Sequence, residues 1–352
     1  MINIGIIGYG YWGTNLVRNF YGAKDCRIKA VADGRLERLE VLARNFPTIK
    51  CVTEVDDLIN DPAIDAVVIA TPVFSHFPLA KKALMQGKHV LLEKPMTASV
   101  EEARILINLA EQKGLILMVD HTFLYTGAVE KMKELIDRDE LGNLKYVDST
   151  RINLGLFQAD VNVLWDLAPH DISILSYLIR EKPFSVNATG ITHTANDIEN
   201  IAYLTVNYQS GFIAHFSCSW TSPVKVRMML IGGDMKMIMY NDLEVTEKVK
   251  IYDTGYHHKT DEEKKKVLVD YRTGDIYVPK LKTTEALSGM AGDFIASIQE
   301  QRKPRSTADL GLSVISILEA SNESIKNNGR EIIIKESGNI NRKIRNTKLA
   351  QY

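Results

Sequence analysis

Three stretches of this 352-residue sequence carry side chains of the right type and spacing to move a proton or hold a reacting oxygen. The first is Glu93-Lys94-Pro95, directly after the apolar run 88–92. Lysine is almost never fully buried without a partner, and a partly desolvated ammonium at a strand end can donate a hydrogen bond to a carbinol oxygen. A surface ion pair between Glu93 and Lys94 accounts for the same residues equally well. A cis Lys94–Pro95 bond would fix the lysine's direction. The second stretch is Trp165-Asp166-Leu167-Ala168-Pro169-His170-Asp171. Imidazole titrates near neutral pH and suits general-base work, with the acid four residues before it in the same pocket. Ile172, Leu175, Leu178 and Ile179 predict a helix here, with Asp166 as N-cap and Pro169 in the first turn. Taken alone, an ordinary capped helix with a satisfied histidine is the simpler account. The third, Ala70-Thr71-Pro72 with Ser75 and His76, follows the run 65–70 and by itself reads as a turn and a helix cap.

The element that must position these groups opens the chain. An apolar β-branched run, 2–7, leads into Gly8-Tyr9-Gly10-Tyr11-Trp12-Gly13 and then a helical pattern. Gly8 permits the tight turn, Gly10 leaves room for a pyrophosphate, and Gly13 lets the helix pack close to the strand. The helix N-terminus offers unpaired N–H groups to the phosphates. Asp33 falls twenty positions after Gly13, at the end of the run 28–32, where an acid accepts from the adenosine ribose. A carboxylate there repels a 2′-phosphate, which favours NAD over NADP, although Arg35 and Arg38 stand nearby. The expected cofactor contacts are Gly8, Gly10, Tyr11, Trp12, Gly13, Asp33, Thr71, Pro72, His76, Glu93 and Lys94.

Apolar runs at 2–7, 28–32, 65–70, 88–92 and 115–119 alternate with helical stretches, for example 35–45, 76–86 and 99–113, the last opened by a capping box from Ser99 to Glu102. This alternation predicts a parallel sheet with helices on both faces and ligands at the strand C-termini. From about 184 to 252 strands and turns dominate, punctuated by Gly211 and Gly232-Gly233, which predicts a second α+β unit with a mostly antiparallel sheet. Helical patterns at 285–300 and 308–328 follow. The predicted division is a Rossmann domain over 1–122, a substrate-binding and oligomerisation domain over 123–335, and a basic tail over 336–352 carrying Arg342, Lys343, Arg345 and Lys348. The polar stretch 257–270 reads as a solvated loop or hairpin.

The net charge of −1 gives no reason to expect nucleic acid or an anionic membrane as partner. Three scattered cysteines, Cys26, Cys51 and Cys218, point to a reducing compartment and no zinc site. With no signal-peptide pattern and no membrane-length apolar run, the cytoplasm is the expected location.

In order and spacing, Gly8/Gly10/Gly13, Ala70-Thr71-Pro72 with His76, Glu93-Lys94-Pro95 and Asp166 with His170 resemble the Gfo/Idh/MocA family of oxidoreductases. The resemblance runs from residue 2 to about 328. It implies a Rossmann domain, a C-terminal domain with a large open sheet, and a homodimer or homotetramer formed through that sheet. It also implies that Lys94 contacts the reacting hydroxyl, that His170 is the acid/base, and that Asp166 orients substrate or histidine, without metal. Two segments depart from the family pattern: His121-Thr122-Phe123-Leu124-Tyr125 lacks an arginine, and Val161-Asn162-Val163-Leu164-Trp165 lacks glycines. The segments around 151–158, Trp165 and 271–277 resemble members acting on nucleotide-linked sugars. That branch implies a UDP-type hexose oxidised to a keto-sugar, at C3, with His121, Arg151, Trp165, Arg227 and Arg272 as substrate contacts. The alternatives are a free-sugar or inositol dehydrogenase, an NAD-dependent glycosidase and a non-catalytic NAD-binding protein.

Overall fold

The computed structural model describes residues 1–155, 157–158, 161–195, 197–257 and 270–334. The tail and most of the polar stretch singled out above lie outside these residues.

The first sheet contains β1 (Ile2–Ile7), β2 (Cys26–Ala32), β3 (Lys50–Val52), β4 (Ala66–Ile69), β5 (His89–Glu93) and β6 (Leu117–Asp120). Their order is β3-β2-β1-β4-β5-β6, and every neighbouring pair is parallel. Side chains of β4 and β6 are buried throughout, which explains their continuous apolar runs. The crossovers are α1 (Tyr11–Gly22), α2 (Leu36–Asn45), α3 (Val55–Ile59), α4 (His76–Met85) and α5 (Val100–Lys113). Chain direction across the sheet reverses between β1 and β4, so a crevice opens at their C-terminal ends. Five strands are legible as apolar runs, whereas β3 is only three residues long and carries no periodic signal. The Ser99 hydroxyl caps α5 by accepting from Glu102 N at 3.3 Å, while the Glu102 carboxylate turns back to Ala98 N at 3.2 Å.

A second sheet follows α6 (Gly127–Asp137). It contains β7 (Leu144–Leu154), β8 (Ser185–Ile191), β9 (Ile201–Asn207), β10 (Ile213–Ser219), β11 (Thr221–Gly233), β12 (Met237–Asn241), β13 (Val249–His257), β14 (Asp270–Tyr277) and β15 (Ile332–Ile333). The order is β14-β13-β12-β11-β7-β10-β9-β8-β15, with only β7 and β10 parallel. Alternation is clean: Ala202, Leu204 and Val206 are buried, as are Ala214, Phe216 and Cys218, while Tyr203 and Ile213 face outward. Gly211 takes the tight turn between β9 and β10 at φ +86°. Gly232 instead remains in β11, where a Cβ would meet the Tyr146 ring at 2.1 Å, so close packing rather than a hairpin turn requires it.

The buried face is covered by α7 (Val163–Leu178) and α9 (Ala308–Lys326), and α8 (Ala286–Glu300) lies between them in sequence order after β14. These last helices join the two sheets. α9 packs on β8, α7 and α5, and α8 packs on α1, with Phe294 edge-on to Phe20 and Glu285 paired to Arg18. The two halves of the chain are therefore fastened along a broad front, and the crevice of the first sheet is held against the start of α7.

Candidate active site

The glycine turn leaves no room for side chains. Gly8 has φ +96°, and a Cβ there would lie 2.5 Å from the Ala70 carbonyl oxygen. A Cβ on Gly13 would lie 2.0 Å from the Gly8 carbonyl oxygen. Gly10 is the N-cap of α1 and no side chain caps that helix, so its first-turn N–H groups remain for an anion. This cradle fits the pyrophosphate of a dinucleotide. Tyr11 and Trp12 stand exposed on its rim, edge to face. Asp33 follows β2 and is buried. Its carboxylate accepts from Tyr9 N at 2.7 Å, Arg35 N at 2.9 Å and the Arg38 guanidinium at 3.2 Å. Burial pushes this carboxyl up, but the N–H groups of Tyr9 and Arg35 and the charge of Arg38 outweigh it and hold it below its ordinary value. The same contacts tie the glycine turn to β2 and hang Arg38 beside Gly10.

Thr71 and Pro72 leave β4 at the crevice. The Ser75 hydroxyl donates to Thr71 Oγ1 at 2.7 Å. His76 is buried, its ring between the Thr71 and Pro95 carbonyls. Glu93 and Asp120 end the adjacent strands β5 and β6 in register, and both are buried. Burial and the neighbouring Asp120 push Glu93 well up. Asp120 is pushed up to about 6 by burial, against the Thr122 hydroxyl and Lys94 that pull it down. The Lys94–Pro95 bond is cis, and Lys94 is half-buried at the mouth of the crevice.

Lys94 meets the second half of the molecule there. Its Nζ donates to the Asp166 backbone carbonyl at 3.2 Å. The Asp166 carboxylate is held separately, accepting from Trp220 Nε1 at 2.9 Å. Asp166 is not the N-cap. Asn162 caps α7, accepting from Trp165 N at 3.2 Å, so the helix starts earlier and Pro169 lies in its interior. An Asn has the short polar side chain that this position prefers, and it out-competes the acid downstream. His170, on the same helix, packs edge-on to Phe123 at 5.0 Å between ring centroids. Burial, and then the positive neighbours Lys94 and Arg151, hold its imidazole well below its ordinary pKa, so it is neutral at pH 7.

The other expected contacts separate into two groups. His121 and Trp165 are both buried beside the start of α7 and the Lys94 loop, and among the described residues neither His121 nitrogen nor Trp165 Nε1 has a hydrogen-bond partner. Burial, with Lys94 adding to it, lowers the His121 pKa to about 3. Arg227 is half-buried near His170 and lies 3.5 Å from Asp242. Arg151 is interior, 3% exposed, and bidentate on Asp171 at 2.9 and 2.6 Å, with Ser149 donating to the same carboxylate. Arg272 is on β14, the sheet edge four strands from β7, and pairs with Asp253. The structure thus gathers Lys94, His121, Trp165, Asp166, His170 and Arg227 but not Arg272, and it gives Arg151 to Asp171. Sequence reasoning missed Trp220, Phe123 and Asn162. A buried tryptophan needs an acceptor for its N–H, but the sequence does not say that the acceptor is an acid 54 positions away. Among the described residues no group of His, Cys, Asp and Glu side chains is gathered that could hold a metal ion.

The first sheet has the architecture of a dinucleotide-binding oxidoreductase. Residues 2–121 match the model of the oxidoreductase family with an NAD-binding Rossmann fold, and residues 129–238 match the GFO/IDH/MocA C-terminal domain. The chain belongs to the Gfo/Idh/MocA family. It is 27% identical over 347 residues to the NADP(+)-dependent scyllo-inositol 2-dehydrogenase of Bacillus subtilis, covering 92% of this chain and 94% of that one. It is 29% identical over 233 residues to the UDP-N-acetylglucosamine 3-dehydrogenase of Acidithiobacillus ferrooxidans, covering 64% of this chain and 70% of the relative. A solved structure of that enzyme superposes with a TM-score of 0.77 at 24% identity, covering 94% of this chain and 99% of its own. No described helix is long and apolar enough to cross a membrane.

Proposed function

We propose that this chain reversibly oxidises a secondary alcohol of a sugar or cyclitol, with NAD held at the glycine turn by its first domain, residues 1–122. The observation that carries this reading is the contact of Lys94 with the Asp166 carbonyl at 3.2 Å, which joins the crevice of the first sheet to the helix that bears His170. The cofactor, when bound, supplies the acceptor for the carbon-bound hydrogen as hydride. His170, neutral in its buried surroundings, takes the hydroxyl proton on a ring nitrogen. Lys94 Nζ donates to the carbinol oxygen as it becomes a carbonyl, stabilising the charge that develops there. Asp166, fixed by Trp220, orients the substrate or the histidine. His121 and Trp165, whose buried polar atoms have no partner among the described residues, are the remaining substrate contacts of this reading.

The substrate favoured by the sequence is a UDP-linked hexose oxidised at C3, and the likeness to the UDP-N-acetylglucosamine 3-dehydrogenase supports it. A specific observation favours a second reading, a free cyclitol: of the three arginines expected at the diphosphate, Arg151 is committed to Asp171 and Arg272 to Asp253. The assay is turnover of UDP-N-acetylglucosamine, scyllo-inositol, myo-inositol and glucose with NAD and NADP. Reduction of NAD with the nucleotide sugar alone establishes the first reading. Turnover with only the free polyols establishes the second, and no turnover with any of them overturns both. The remaining parts of the reading are an assembly of two or four chains through the open face of the nine-stranded sheet, and work in the cytoplasm.

A further inference from the structure

We propose that His76 is a positioning residue that locks the cofactor-side turn at Thr71 to the loop carrying Lys94. His76 opens α4 and is 1% exposed. Its Nε2 lies 2.8 Å from the Thr71 carbonyl oxygen and its Nδ1 lies 2.9 Å from the Pro95 carbonyl oxygen. Only an imidazolium donates to both carbonyls; a neutral ring donates to one and packs its other nitrogen against the second carbonyl without a shared proton, and in either state the ring spans the gap. The gap needs spanning because the register between β4 and β5 ends at Ile69 and Leu92. Beyond that point Thr71 and Lys94 are on separate loops, one facing the dinucleotide and one facing the alcohol. With both nitrogens turned to the backbone, the ring keeps no polar atom for the cofactor itself, and its influence passes through Thr71 and Pro95. Hydride transfer is sensitive to small errors in the distance between donor and acceptor carbons, and this ring ties together the two loops that set that distance.

The test uses the full chain with His76→Phe, which fills the site without a donor, and His76→Gln, which restores one donor. Amide hydrogen exchange is followed in segments 70–75 and 93–97, and kinetics are measured with NAD and whichever alcohol of the panel the wild type oxidises. In the Phe variant we expect exchange in both segments to quicken by about tenfold or more. We expect kcat to fall by roughly ten- to a hundredfold while NADH affinity stays within about threefold. The Gln variant recovers part of each loss. Faster exchange in only one segment, or in neither, overturns the proposal, as does NADH affinity that falls in step with kcat. If the Phe variant does not melt cooperatively, the Gln variant is judged on the same criteria. The kinetic arm rests on the functional reading above and the exchange arm does not. A wild type inactive on every alcohol, with the exchange result intact, would sink that reading and leave the lock standing.

Discussion

Lys94 reaches Asp166 through the backbone, its Nζ 3.2 Å from the Asp166 carbonyl oxygen, while the Asp166 carboxylate is bonded to Trp220. The lysine therefore has no full counter-charge on this partner, and its remaining protons are available to an oxygen in the crevice. The acid is aimed by Trp220, between β10 and β11 of its own half, and the lysine comes from the first half, so the site depends on both halves of the molecule at once.

Removing the proposed acid–base pair should abolish turnover and spare cofactor binding. We expect Lys94→Ala and His170→Ala each to lower kcat roughly a hundred- to ten-thousandfold, with the dissociation constant of NADH, read by fluorescence, changed little in His170→Ala and far less than kcat in Lys94→Ala. Activity surviving in the double variant would show that the roles are misassigned.

Trp220→Phe keeps a six-membered aromatic ring but removes the pyrrole half of the buried indole and with it the donor to Asp166 Oδ2. The expected loss of stability is about 1–3 kcal/mol, from the cavity left behind and from a half-buried carboxylate short of a partner. A drop in kcat at nearly unchanged NADH affinity should accompany it. Urea melts and steady-state kinetics on the same preparation separate the two effects.

The Arg151–Asp171 pair has its side chains 3% and 7% exposed, so breaking it strands a buried charge. Arg151→Met should destabilise the protein by about 3–5 kcal/mol, and adding Asp171→Leu should restore much of that. If Arg151 instead served a diphosphate, the single variant would raise KM for a UDP-sugar and leave the melting temperature where it was.

The pH dependence follows from the neutral His170. Burial and the positive groups around it place its pKa well below 6.5. The base works when neutral, so kcat/KM for oxidation should rise with pH through that low value and be level across neutral pH. Arg227→Gln removes one of the positive charges, which should move the acid limb upward. A wild-type limb centred above 6.5 would contradict this account of the base.

On the proposed NAD reading, cofactor choice turns on Asp33 and Arg38, 3.2 Å apart. Asp33→Ser should release the guanidinium for a 2′-phosphate and raise the ratio of kcat/KM for NADP over NAD by about tenfold or more, since one good charge pair contributes over 1 kcal/mol. Arg38→Ala should lower activity with NADP more than with NAD. An unchanged ratio in both would place discrimination elsewhere.

The amino-acid sequence by itself determined the glycine turn, the parallel sheet and the alternating second sheet, because each rests on local periodicity and on residue types at short range. It also placed Lys94 just past the end of β5, where side chains meet ligands; His170, expected in the first turn of its helix, lies mid-helix because Asn162 starts α7 earlier. It did not determine β3, which is too short to show a period, or the true cap of α7, where Asn162 and Asp166 compete for one local role. Above all it could not decide which charges remain free. Whether Arg151 faces a phosphate or Asp171, and whether the Asp166 carboxylate meets Lys94 or Trp220, depends on partners 20 and 54 positions away. Those pairings are set by the sheet register and by how α7 packs across it, so only the tertiary structure decided them.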